Sequence, residues 1–105
     1  MRRIRTGDQV IVIRGEDRGK RGKVTRFNAK DNLVVVEGIN LVKRHLAATP
    51  QRPGGILEVE APFDASKVMM VDPEGGEPTR VRYEIREGRK VRVAKSGAEI
   101  VGEKG

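Results

Sequence analysis

The 105-residue chain contains no cysteine, no tryptophan and one histidine. Disulfides and thiolate metal sites are therefore excluded, and His45 alone cannot form a histidine cluster, so no metal and no other cofactor is expected. Aromatic residues are equally sparse. Phe27, Phe63 and Tyr83 are the whole set, too few for the row of stacking platforms that holds successive unpaired bases. Long hydrophobic runs are missing too. The longest, VIVI, LVVV and VMMV, have four residues, far short of the ~20 that a membrane-spanning helix requires. MRRIR has no apolar stretch behind it to make a signal peptide, and no basic amphipathic helix is visible that would lie on a membrane. A cytoplasmic protein without membrane insertion is expected. Catalysis finds no support either, because the carboxylates are scattered and no nucleophile has a base and an orienting partner.

What the chain does have is positive charge. Lys and Arg number 22 against 15 Asp and Glu, a formal net charge of +7, which points to a polyanionic partner. The excess is uneven. Residues 1–50 hold 12 basic and 5 acidic side chains, residues 51–79 hold 2 and 6, and residues 80–105 hold 8 and 4. Two basic segments flank an acidic one, as expected where part of the surface meets the polyanion. With so few aromatics, recognition of a folded nucleic acid through phosphates and shape fits better than recognition of unpaired bases. Composition alone does not separate RNA from DNA.

Apolar residues occur in short β-branched clusters bounded by Gly, Pro, Asn and Asp, with no sustained 3.6-residue period, so a nearly all-β chain is predicted. QVIVI (9–13), KVTRF (23–27) and NLVVVEGI (32–39) read as strands, with AKDN as the turn joining the last two. NLVKRHL (40–46) continues extended. ILEVEAPF (56–63) resumes as a strand with Glu58 and Glu60 on one face and Leu57 and Val59 on the other. DASK reads as a single helical turn, VMMV as a short strand, and DPEGGEP as a turn cluster. In RVRYEIREGRKVRV, Glu87 and Gly88 suit a tight hairpin. Val81, Tyr83, Ile85, Val91 and Val93 are expected on its apolar face, with Arg80, Arg82, Glu84, Arg86 and Arg92 opposite.

The segment RGEDRGKRGK stands out. Gly15, Gly19 and Gly22 permit tight turn geometry, and Arg14, Arg18, Lys20, Arg21 and Lys23 would project from a loop between two core strands. It lacks the Lys-Ser/Thr ending and the following helix of a P-loop. It reads either as a phosphate grip or as a solvated charged surface partly balanced by Glu16 and Asp17. Arg2, Arg3 and Arg5 form a second basic cluster. Lys43, Arg44 and His45 form a third, with His45 as a neutral polar contact beside two cations. Together with Arg26, Arg80, Arg82, Arg86 and Arg92, these are the candidate nucleic-acid contacts. In AATPQRPGG (47–55) two prolines deny ladder hydrogen bonds and paired glycines free the backbone, so a long exposed loop is expected over Pro50, Gln51, Arg52, Pro53, Gly54 and Gly55.

TGDQVIVIRGEDRGKRGKVTRFNAKDNLVVVEGINLVKRH closely resembles the KOW motif and its continuation in the family of the twenty-fourth protein of the bacterial large ribosomal subunit. The likeness continues through RPGGILEVEAPFDASKVMMVDP and PTRVRYEIREGRKVRV, covering essentially the whole chain, and it places the hallmark KOW glycine at Gly22. It implies an SH3-like β-barrel over residues 1–62 and a C-terminal β extension, with a hairpin, over residues 63–105. It also implies binding to large-subunit ribosomal RNA near its 5′ end, an early role in subunit assembly, and a place beside the polypeptide exit tunnel with the 47–55 loop toward its rim. The implied partners are ribosomal RNA, neighbouring large-subunit proteins, nascent chains and exit-site factors. Some family members resemble a zinc ribbon in the C-terminal part. Here the places of the paired CxxC motifs are held by Asp72 and Gly75 and by Ala94 and Gly97, so no metal is implied. The alternative is the KOW module of a NusG-type elongation factor, in which a separate α/β domain of roughly a hundred residues precedes the motif; here the motif begins at Thr6.

Overall fold

The computed structural model describes residues 4–101, so the Arg2 and Arg3 candidates lie outside the described residues. Among the described residues the chain forms β1 (Gln9–Val12), β2 (Arg21–Asn28), β3 (Leu33–Val36), β4 (Leu41–Leu46), β5 (Gly55–Glu60), β6 (Phe63–Asp64), a 3-10 turn (Ala65–Lys67), β7 (Val68–Val71), β8 (Pro78–Thr79), β9 (Val81–Arg86), β10 (Arg89–Ala94) and β11 (Glu99–Ile100). The all-β expectation holds.

The turns follow the local chemistry. Between β2 and β3, Asn28 Oδ1 accepts the backbone N–H groups of Lys30 and Asp31, and Asn32 closes the turn at φ 54°, the left-handed region that asparagine tolerates. Asp64 caps the 3-10 turn by accepting the Ser66 N–H at 2.8 Å.

Six strands form one curled antiparallel sheet in the order β6-β3-β2-β1-β7-β8. A bulge between Val24 and Arg26 bends β2, which helps the sheet curl. The concave side buries Val10, Val12, Val24, Val34, Val36, Val68 and Met70. Each such side chain contributes about 1.5–3 kcal/mol of burial. The expected division at residue 62 falls inside this sheet, because β6, β7 and β8 belong to it. The separate three-stranded sheet β11-β10-β9 begins at Val81 and adds Val81, Ala94 and Ile100 to the same core. Its buried side chains thus pack with those of the six-stranded sheet.

The third sheet is the two-stranded ribbon β4-β5, paired from Leu41↔Glu60 to Leu46↔Gly55. Nearly all of it is exposed, and the molecule measures 58 × 28 × 23 Å. The expected long loop over 47–55 is shorter than anticipated: Gly55 already pairs in β5, and Thr49 and Arg52 bridge across the tip.

The hairpin turn falls at Glu87 and Gly88 as expected, but the facing of the residues on its second strand departs from expectation. Glu87 (φ 52°) and Gly88 (φ 74°) make a two-residue hairpin loop, which sets Arg86 opposite Arg89 and so pairs odd positions of β9 with even positions of β10. Directly paired residues share a face. Val81, Tyr83 and Ile85 therefore lie with Ala94, Arg92 and Lys90, while Val91 and Val93 lie with Glu84 and Arg82. Ile85, expected on an apolar face, is 71% exposed.

Candidate nucleic-acid interface

The β1–β2 loop (13–20) is a built structure. Gly19 N–H donates to Val12 C=O at 2.8 Å, Arg18 N–H to Gly15 C=O at 3.2 Å, and Lys20 N–H to Asp17 C=O at 3.0 Å. Gly15 and Gly19 have φ of +93° and +92° with open space around them, so glycine is favoured there for conformation. Arg14 Nη2 donates to Ser66 C=O at 2.7 Å, anchoring the loop to the 3-10 turn, and Lys20 Nζ meets Asp17 Oδ1 at 2.9 Å. The Arg18 side chain is exposed, with no hydrogen bond among the described residues.

Gly22 differs from these two. It lies within β2, not in the turn, and pairs with Val10. A Cβ there would fall 2.7 Å from both Glu37 O and Val36 Cγ1, so the residue is required by close approach.

Arg21 and Lys23 are likewise strand residues and do not project from the loop. They pair with Ile11 and Gln9, while the Gly22 and Val24 positions between and beside them face the core. Beyond the bulge, Arg26 pairs with the outward Val35, and Phe27 turns inward opposite Val34. Arg21, Lys23 and Arg26 thus share the convex face of one strand, continuous with the loop that carries Arg18.

Arg26 also lines a groove of about 560 Å³ with Arg44, over Leu33 and Val35. The sequence cluster Lys43, Arg44, His45 is split by the ribbon. Lys43 and His45 pair with Glu58 and Ile56 on one face, and Arg44 pairs with Leu57 on the other. Arg14 shares a second cleft, of about 270 Å³, with Lys67. Lys67 was not among the sequence candidates, since only the folded 3-10 turn brings it beside the β1–β2 loop.

The C-terminal arginines are less available. Glu84 holds Arg82 at 2.8 Å and Arg86 at 3.4 Å, and Arg86 Nη2 also donates to Gly97 C=O at 2.8 Å. The Arg82 hydrogen bond, aided by both arginine charges, keeps the Glu84 carboxyl below its ordinary pKa. Arg5 and Arg80 are exposed, and Lys90 sits 5.2 Å from the Tyr83 ring centre, within cation–π range. Arg92 must be removed from the candidate contacts. It is 2% exposed, and its guanidinium pairs with Asp8. The two-residue hairpin turned it onto the core side.

Around Asp72 the chain has a polar latch. Asp72 Oδ1 accepts the Glu74 N–H at 2.9 Å and the Ser96 hydroxyl at 2.9 Å. Those bonds, the Glu74 N–H first, depress the Asp72 pKa. The C-terminal hairpin is thus held by this latch and the Asp8–Arg92 pair as well as by apolar packing.

Comparison with known proteins agrees with this arrangement. Residues 6–37 match the KOW motif, and residues 39–101 match the C-terminal domain of large ribosomal subunit protein uL24. The chain is 53% identical over 102 residues to large ribosomal subunit protein uL24 of Sphingopyxis alaskensis, covering 95% of this chain and 97% of that protein. Its counterpart in Listeria monocytogenes is 50% identical over 99 residues, covering 93% and 96%, and that in Limosilactobacillus fermentum is 50% identical over 99 residues, covering 92% and 97%. A curled β-sheet carrying the KOW loop, its C-terminal continuation and matches along nearly the whole length place the chain in the large ribosomal subunit protein uL24 family.

Proposed function

We propose that this chain grips folded large-subunit ribosomal RNA, near its 5′ end, with the convex face of β2 and the adjoining β1–β2 loop. As a member of its family it is a cytoplasmic, structural component of the large ribosomal subunit and not an enzyme. The observation that carries the reading is the alignment of Arg21, Lys23 and Arg26 on one strand face beside exposed Arg18. Phosphate contacts from such a row fix a protein on RNA by charge and shape and require no stacking platform. Arg44 extends the row across the Arg26 groove. Binding to RNA near the 5′ end accords with an early role in subunit assembly.

The ribbon serves a second purpose in this reading. It projects from the body, its tip carries Arg52 as the one cation between residues 47 and 55, and Ile56 and Leu57 stand exposed behind it. A tip so poor in charge suits the rim of the exit tunnel, among neighbouring ribosomal proteins, exit-site factors and emerging nascent chains.

The test is ultraviolet crosslinking in cell extract, with both the RNA and the attached peptides identified. Recovery of large-subunit ribosomal RNA on peptides spanning residues 14–26 is expected. Recovery of other RNAs on those peptides, without large-subunit ribosomal RNA, would contradict it.

A further inference from the structure

We propose that Asp17 and Asn40 are positioning residues that lock the β1–β2 loop to the root of the β4-β5 ribbon, so that the two present themselves to RNA as one unit. The consequence for RNA rests on the function proposed above; the lock itself does not. Asp17 is an acid set among the cations of the loop, where its charge opposes phosphate binding. Its geometry gives it another use. One carboxylate oxygen takes Lys20 Nζ at 2.9 Å, and the other takes the backbone N–H of Asn40 at 3.0 Å. Asn40 immediately precedes β4. Both bonds hold the carboxyl in its ionised form, Lys20 more than Asn40.

Asn40 passes the connection on. Its side-chain Nδ2 donates to Ala61 C=O at 3.0 Å and Pro62 C=O at 3.4 Å, and its own C=O accepts the Ala61 N–H at 3.1 Å. Ala61 immediately follows β5. Asn40 thus ties the entering strand of the ribbon to the leaving one and, through Asp17, ties both to the basic loop. It does so at φ 55°, a conformation that disfavours most side chains. The ribbon strands are almost wholly exposed, so packing does little to set their direction. A further root bond, Gly38 N–H to Glu60 Oε1 at 3.2 Å, joins the ribbon to the β3 side and does not involve the loop.

The absence of native cysteine makes the test direct. Spin labels on cysteines introduced at Arg52, in the ribbon tip, and Lys30, in the β2–β3 turn, report the ribbon's direction as a distance distribution. A single narrow distribution is expected for the parent. Broadening is expected for Asp17→Ala and for Asn40→Gly, which tolerates the backbone angle while removing the side-chain bonds. Asp17→Asn, which can still accept the Asn40 N–H, should stay close to the parent. Affinity is read with a transcript of the 5′ region of large-subunit ribosomal RNA. Asp17→Ala should bind about fivefold more weakly, the effect of one hydrogen bond, although it removes a negative charge from the interface. Unchanged distance distributions in both Asp17→Ala and Asn40→Gly would overturn the lock, as would tighter RNA binding by Asp17→Ala. If the parent itself fails to bind the transcript, the RNA reading falls and the distances alone decide the lock.

Discussion

The Asp8 carboxylate and the Arg92 guanidinium, 84 positions apart in the chain, are joined by two hydrogen bonds of 2.6 and 2.9 Å. Each residue is 2% exposed. The pair links the approach to β1 with the middle strand of the C-terminal sheet, and Asp8 also accepts the Arg5 N–H at 2.6 Å. Removing one member of a buried pair strands the other, at about 3–5 kcal/mol. Asp8→Ala should lose stability on that scale in urea unfolding. An apolar replacement of both residues should be milder than either single change, and a loss under about 1 kcal/mol for Asp8→Ala would mean that the pair is not what joins the sheets.

Gly22→Ala tests a steric demand. Its new Cβ would meet a backbone oxygen and a valine methyl at 2.7 Å, an overpacking expected to destabilise by about 1–3 kcal/mol. Thermal unfolding should show a midpoint lower by roughly 4–8 °C per kcal/mol. A midpoint equal to the parent's would show that β2 and β3 can separate to admit a methyl group.

Asp72 makes the C-terminal latch acid-sensitive. Its folded pKa is depressed, chiefly by the Glu74 N–H and secondarily by Ser96, so its stabilising effect is complete above the ordinary aspartate value of about 3.9. That contribution disappears as the pH falls through the lower folded value. Ser96→Ala should raise the Asp72 pKa toward the ordinary value, measured by NMR titration of the carboxyl carbon. No movement would show that the hydroxyl does not hold the carboxylate.

The hairpin shows where sequence reading succeeds and where it stops. Alternation located β9 and β10, and Glu87–Gly88 marked the turn. Which face each residue took depended on the loop having two residues, because that length pairs odd positions with even ones and carries Arg92 into the core. Asp8, its partner, carries no local signal of the contact. Similarly, Gly15 and Gly19 were legible as turn glycines, whereas the demand on Gly22 comes from Val36 and Glu37 on another strand. The cations of the first half were visible as a group. Their separation into a strand face, a loop and two ribbon faces required the registers.

Replacing Pro50 to Gly55 by a short turn separates the ribbon's role from RNA affinity. Binding to ribosomal RNA should remain within about threefold of the parent, roughly 0.65 kcal/mol. In assembled ribosomes the trimmed chain should lose crosslinks from this tip to nascent polypeptide. A hundredfold loss of RNA affinity would instead make the tip an RNA anchor, and an intact tip without nascent-chain crosslinks would remove it from the exit rim.

The phosphate grip is tested most directly by the salt dependence of binding to a 5′-region transcript of large-subunit ribosomal RNA. Parent protein is compared with the Arg18→Ala, Arg21→Ala, Lys23→Ala, Arg26→Ala combination. Each lost phosphate contact lowers the slope of log affinity against log salt by about 0.7–0.9, so four contacts should flatten it by about three units. An unchanged slope would contradict the assignment of the β2 face and its loop to RNA.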